Sequence, residues 1–531
     1  MPLRTVSNTG GNWNATTTWV GGVVPIAGDT VDFTATSGNL TVNVSTASLA
    51  GINFTNYVNT ITFTNTINVN TAVNLGTGGY TQSGASGLTI NGNTTITSNS
   101  VVWSRTLSFS TGTQTLADNL TVTGIVTFSG AVTVNSNIFN IGGNLTINGT
   151  TTGTSTIIFN GTGAQSWTHG SAVYLSNNLT INKSSGTLTL GSTVYFATGI
   201  LTYTQGNIDF TTNNNTFVVV AGTYVTTGLT FNTFFFASGG SNSITLGSDL
   251  YTNTFTVGGA GIINGSFDIY CATLNVNNST SGGGGAVTYA RNFYCSGNCS
   301  VSSLKLTATA YIGGNCSYAF AASAIGFANL YMIGNGTLTA LSTGNYSFPS
   351  NLYINTSGKI KLVGNFNFGN DTNSSAIINI IRGTIDATKA TIILPTFQTH
   401  TLTNMNKMLG GNIVINTISP PVALIMNEFF CGDATNQANI ATTNPTNATV
   451  TFTDNFEKIA KFVNINGITF TRPQQLLLIT NQPKKIRNIG IRYGNSSPNG
   501  IPKGDPSVQN LQTVGQSRTL LLGDPSFVKS I

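Results

Sequence analysis

From about residue 36 to residue 420 the chain alternates apolar and small polar residues with period two, in short runs broken by Gly, Asn or Ser-Gly. Leu120-Thr-Val-Thr-Gly-Ile-Val-Thr-Phe-Ser-Gly-Ala-Val-Thr-Val-Asn and Leu145-Thr-Ile-Asn-Gly are typical. Successive side chains of a strand point to opposite faces, so this pattern predicts half-buried strands, and the interrupting residues predict turns. No stretch of this span carries the i, i+3, i+4, i+7 stripe of a helix.

Strands this short cannot bury a face alone. The phrase Asn-Leu-x-(Val/Ile/Met) recurs at Asn39, Asn119, Asn144, Asn178, Asn329 and Asn351. A larger echo pairs Phe109-Ser-Thr-Gly-Thr-Gln-Thr-Leu with Phe159-Asn-Gly-Thr-Gly-Ala-Gln-Ser-Trp. Degenerate repetition of this kind predicts coils stacked into a β-solenoid, with Asn amides bonding from coil to coil at the corners. The rival is an array of β-sandwiches, which would show linkers and hairpin signals at regular intervals. A transmembrane β-barrel would show aromatic girdles.

The ends differ from the β-solenoid body. Residues 1–35 contain Trp13-Asn-Ala-Thr-Thr-Thr-Trp19-Val-Gly21-Gly22-Val-Val-Pro25-Ile-Ala-Gly28-Asp29-Thr-Val31, with two of the chain's four Trp close together and then two Gly turns. This predicts an aromatic cap over the open end of the stack, with Trp13, Trp19, Gly28 and Asp29 as its key residues. Residues 421–531 begin after the break at Pro420-Pro421, predict a short helix around Asn455–Val463, and repeat Gly-Asp-Pro-Ser at Gly504 and Gly523. They read as a small β-rich capping and docking region.

The string W-x5-W-x-G-G-x-x-P-x-x-G-D-x-V resembles the opening of right-handed β-helix proteins of cell surfaces and virions, adhesins and phage tail-fibre or spike proteins among them. The resemblance is close over Trp13–Val31 and only stylistic beyond it. It implies an all-β, right-handed parallel β-helix with a life at a virion or cell surface. The N-terminus lacks the apolar stretch of a secretory signal, which favours a virion part assembled in the host cytoplasm over an exported bacterial adhesin or filament subunit.

Composition narrows the function. Only 6% of the 531 residues are charged, against about 25% in ordinary domains. That excludes a coiled coil, and the apolar content of 40% excludes a disordered chain. No window resembles a membrane-spanning helix. Residues 451–531 hold ten basic and four acidic side chains, so the whole formal charge of +6 resides there. Its densest part, Lys484, Lys485, Arg487 and Arg492, predicts docking to an acidic partner in the same particle. No aromatic platform interleaves with it, so nucleic acid is not the expected partner.

Candidate chemistry is sparse. The body holds Asp118, Asp209, Asp249, Asp268, Asp371 and Asp386, all well separated along the chain. A glycosidase needs two carboxylates about 5–10 Å apart, and Asp371 with Asp386, near Arg382 and Lys389, is the best candidate for a polysaccharide depolymerase. Asp29 and Asp32 straddle a turn that could bind a cation, although a turn-stabilising role is expected. Trp167 beside His169 could form a carbohydrate platform, although packing against a neighbouring coil is the plainer expectation. The run Gly297-Asn298-Cys299-Ser300 recurs as Gly314-Asn315-Cys316-Ser317, 17 residues later, and Cys271, Cys295 and Cys316 are spaced by 24 and 21, spacings that predict stacking on neighbouring coils. Buried thiols are expected there, with a disulfide as the alternative and a metal site as the remotest reading. The expectation is therefore a non-enzymatic, homo-oligomeric structural virion protein without cofactor or metal, touching a host-surface glycan or receptor.

Overall fold

The computed structural model describes residues 2–237, 242–258, 261–277, 291–302, 309–319 and 329–340 as continuous segments, and otherwise individual strands ending with Arg492–Tyr493. The fold is an all-β parallel β-helix. Among the described residues the one helical element is a single 3-10 turn, Thr16–Thr18. The chain divides into two compact units, with residues 1–238, 242–253 and 264–267 in the first and the remainder in the second.

In the first unit, strands of three to five residues carry one outward side chain between two buried ones, as in Leu120–Val122, Val126–Phe128 and Leu145–Ile147. Each pairs in parallel with the equivalent strand of a neighbouring coil. Leu107 stands opposite Val126, and Val126 opposite Leu145, so these two coils have the same length. Inward residues form columns, with Phe109 stacked on Phe128 at 5.1 Å. Outward residues form neutral columns such as Ser108, Thr127, Thr146 and Thr168.

The recurrent Asn phrase has a structural cause. In this unit each such Asn stands at the entrance to a strand, and its Oδ1 accepts from the coil that follows. Asn39 accepts from Thr60 N at 2.9 Å, Asn119 from Ile138 N at 3.0 Å, Asn144 from Ser166 N at 2.8 Å and Asn178 from Ile200 N at 3.0 Å. Corner N–H groups left over by the sheet ladder are thereby satisfied.

In the second unit the strands Asn292–Cys295, Thr309–Ile312, Asn329–Met332 and Asn351–Phe368 stack in register. The parallel ladder continues beyond residue 420, where Val422–Met426 pairs with His400–Thr403 and then with Ala448–Phe452. The helix predicted around residues 455–463 is not formed at Lys458–Lys461, which is a strand paired with Leu477–Thr480. Its apolar residues recur too briefly to sustain a helical face, and a neighbouring parallel strand satisfies the backbone instead.

Candidate functional site

The N-terminal cap is a closed structure. Trp13 and Trp19 are 1% and 2% exposed, their rings meet edge to face at 4.9 Å, and Trp19 Nε1 donates to Trp13 O at 2.8 Å. Strand Leu3–Thr5 pairs in parallel with Thr30–Asp32. Next to it the chain returns in the opposite sense: Val6 bridges Trp19 antiparallel, Ser7 N donates to Thr18 O and Val20 N to Thr5 O. An antiparallel segment stops a parallel ladder, which is what an edge needs to avoid recruiting other chains. Gly28 turns the chain at φ +82, in the left-handed region, and its N–H donates to Ser48 O.

Asp29 holds that turn. Its carboxylate accepts from Arg4 Nε at 2.8 Å and from Ile26 N at 3.1 Å. Burial works to raise its pKa, but these two donors outweigh burial and hold the group below the usual carboxylate range. Asp32 instead accepts from Asn53 Nδ2. The pair thus stabilises backbone and neighbours, as a turn-forming role requires.

Other acids of the body do similar work. Asp118 accepts from the N–H groups of Ser98 and Asn99, and Asp268 from Asn292 N, with Arg291 at 3.9 Å. The Thr212 hydroxyl, together with the N–H groups of Thr212 and Thr211, pushes the Asp209 pKa well down. Asp371 lies outside the described residues. Asp386 is lowered chiefly by the Thr388 hydroxyl, and the charges it feels are those of Lys359 and Lys361, the latter opposite it in register. Arg382 and Lys389 stand on the same strand but pair with Asn355 and Val363.

His169 and Trp167 face inward, their rings 5.4 Å apart in the core. His169 Nδ1 lies 3.0 Å from Val173 O, so the neutral ring donates there, while Nε2 has no hydrogen-bond partner among the described residues. Burial pushes the His169 pKa down from 6.5 to about 4. The unfolded chain takes up this proton first as the pH falls, so the contribution to stability is full above pH 6.5 and is lost between pH 6.5 and 4. The loss amounts to about 3 kcal/mol. Hydrogen exchange of the coil around Gln165–His169 should show it, and His169→Gln should flatten the profile; an unchanged wild-type profile from pH 7 to 4.5 would refute this role.

Lys183 is a buried cation that the alternating pattern does not announce. Its Nζ donates to Gly161 O at 2.6 Å, Gly163 O at 3.0 Å and Gln165 Oε1 at 2.6 Å. Gln165 in turn donates to Ile141 O and Gly143 O, and Gln114, its counterpart in the earlier echo, donates to Gly92 O and Thr111 O. These inward amides close the corners where backbone carbonyls turn into the core.

The second unit carries a surface feature that sequence reasoning misses. Tyr270, Tyr294, Tyr311, Tyr331 and Tyr353 occupy one outward rank, with successive ring centroids 4.8, 4.8, 4.8 and 4.3 Å apart and planes within 20°. Partial burial comes first in raising the Tyr294 and Tyr331 pKa values, and neighbouring phenols add to it, so the hydroxyls stay protonated. A second rank on the same strands is Asn292, Thr309, Asn329 and Asn351. Within it Asn351 Nδ2 donates to Asn329 Oδ1 at 2.7 Å, and Asn329 Nδ2 to Thr309 Oγ1 at 3.1 Å. The result is a neutral strip of phenols beside amides. The only sequence signal for it is a Tyr between two apolar or small residues, recurring at uneven spacings.

The thiols of Cys271, Cys295, Cys299 and Cys316 are buried and free. Cys271 stands opposite Cys295, 24 residues on, and Cys299 opposite Cys316, as the recurrence of Gly-Asn-Cys-Ser after 17 residues predicts. The 21-residue step from Cys295 to Cys316 does not stack that pair, because Cys295 faces Ile312. Among the described residues no group of three or more His, Cys, Asp or Glu is placed to hold a metal ion, and no helix is long and apolar enough to cross a membrane. Lys484, Lys485 and Arg487 lie outside the described residues, as does the repeated Gly-Asp-Pro-Ser; Arg492 begins the strand Arg492–Tyr493. No family model matches the chain, and neither a curated protein nor a solved structure matches it.

Proposed function

We propose that this chain is a non-enzymatic structural protein of a virion surface, of the tail-fibre, spike or capsid-decoration kind. The observation that carries the reading is the exterior of the coils. Its outward ranks are stacked neutral side chains, Ser108 to Thr168 in one unit and the Tyr270–Tyr353 strip in the other. Stacking of this kind stabilises each coil through its neighbours and leaves long, uncharged, hydrogen-bonding surfaces. In this reading the phenol and amide ranks supply contact to a host-surface glycan or receptor. The carboxylates of Asp29, Asp118, Asp209 and Asp386 are committed to backbone N–H groups, hydroxyls or an Arg, which favours scaffold over catalyst. The basic C-terminal region docks the protein to an acidic partner in the particle, and copies associate with one another.

The test is immunogold labelling and protein mass spectrometry of gradient-purified particles from the source of this sequence. The chain should co-purify with particles and label their surface in a symmetric array. A location on cell envelopes or in filaments of this chain alone would overturn the virion reading and favour an adhesin. Release of oligosaccharides from purified capsule by the isolated protein would overturn the non-enzymatic one.

A further inference from the structure

Three successive coils of the second unit meet at one corner through four thiols. Cys271, in strand Ile269–Asn277, stands in register with Cys295 at the end of Asn292–Cys295. The chain turns through Ser296, Gly297 and Asn298 and enters Cys299–Ser302, where Cys299 stands in register with Cys316 of Cys316–Ala319. The middle coil therefore carries one thiol on each side of its turn. One is opposed to the coil before, the other to the coil after. Residues in register on parallel neighbours lie about 4.8 Å apart, within the Cα separation of about 4.4–6.8 Å that a disulfide spans.

We propose that this corner is an oxidation site, at which a peroxide-class oxidant converts the four thiols into two disulfides, Cys271–Cys295 and Cys299–Cys316, that staple three successive coils. Each bond consumes one peroxide. One thiolate attacks the peroxide oxygen, breaking the O–O bond to give a sulfenic acid and one molecule of water. The opposed thiol then attacks the sulfenic sulfur, the S–S bond forms, and the sulfenic oxygen leaves as a second water. The peroxide gains two electrons and the thiol pair loses two, and both thiol protons end in water. Either thiol of a pair can attack first, the opposed one then resolving; at the first pair the Cys295 thiol also reaches Ala272 O at 3.5 Å and Asn298 O at 3.3 Å. Burial of all four side chains admits a small peroxide more readily than a bulky disulfide reagent. The products close one loop from Cys271 to Cys295 and another from Cys299 to Cys316, and so pin each coil to the next. The inference stands apart from the virion reading, since it needs only the register of the thiols.

The test treats the full chain with hydrogen peroxide, unfolds it without reductant, alkylates the remaining thiols and maps the linked peptides by mass spectrometry. The number of alkylated cysteines should fall from five to one, the survivor being Cys431, which lies outside the described residues. The linked peptides should join residue 271 to 295 and residue 299 to 316. Cys295→Ser should abolish the first link, leave the second, and return Cys271 to the alkylated pool. Proteolysis within residues 268–340 should slow at least tenfold in the oxidised protein. Five alkylated cysteines after treatment, a bond between Cys295 and Cys299 within one coil, or sulfinic and sulfonic acids in place of disulfides would each overturn the proposal.

Discussion

Trp13→Ala is expected to open the N-terminal end of the solenoid, at a local cost of about 3–5 kcal/mol. The ring is almost wholly buried, and Trp13 supports Trp19 twice, through the edge-to-face contact and through the carbonyl that accepts from Trp19 Nε1. Trp19 in turn sits in the antiparallel segment that covers strand Leu3–Thr5. Losing the Trp13 ring leaves a cavity beside Trp19 and loosens the cover over the strand edge. In a solenoid each coil contacts only its neighbours, so the damage stays at that end. Hydrogen exchange should therefore show lost protection in residues 2–35, with strands such as Leu145–Ile147 unchanged. The uncovered edge is a template for another chain, so light scattering should rise with protein concentration. Trp13→Phe keeps an aromatic partner for Trp19 and should show a smaller version of both effects. Unchanged protection in the Ala variant would mean that the backbone bonds of residues 5–7 with 18–20 suffice as the cap.

Much of this architecture is legible because stacking imposes a local pattern that repeats. Leu-Thr-Val reads as buried, outward, buried, and Leu120–Val122 is built so. The Asn-Leu phrase marks strand entrances because one amide there serves the next coil, a need that recurs wherever a corner recurs. What stays hidden depends on register. Coil length varies, the step from Cys271 to Cys295 being longer than that from Cys299 to Cys316, so equal-looking spacings do not name partners. The 21-residue step would stack Cys316 on Cys295 and the 17-residue recurrence of Gly-Asn-Cys-Ser on Cys299, and only the register of a shortened coil decides for Cys299. The same irregularity conceals the Tyr strip. The outward columns of Thr and Ser are easier to foresee, since nearly every outward position carries such a residue and a slip of one coil changes little.

Lys183→Met is expected to destabilise the first unit by about 3 kcal/mol, and here two effects of opposite sign compete. Period two places residue 183 inward, after Leu179 and Ile181, but a cation in that slot reads as an exposed exception until its acceptors are known. Burial pushes the Lys183 pKa down, which means that the charged form bears a desolvation cost. Met has nearly the same length and would remove that cost. It would also strip Gly161 O, Gly163 O and Gln165 Oε1 of their shared donor at a site where the lysine is 1% exposed. An orphaned buried acceptor costs about 1–3 kcal/mol, and three of them outweigh the relief from removing one charge. Gly186 packs directly against Gly163 O, so closely that a Cβ could not fit between them, and this leaves the carbonyl no room to turn towards another donor. Chemical denaturation of the full chain, with hydrogen exchange followed at Asn178–Leu190, reads the balance. A loss of stability assigns the amine to closing the corner. A gain would show that the desolvated charge costs more than its three bonds return, as happens when buried ionic groups are replaced by well-packed apolar ones.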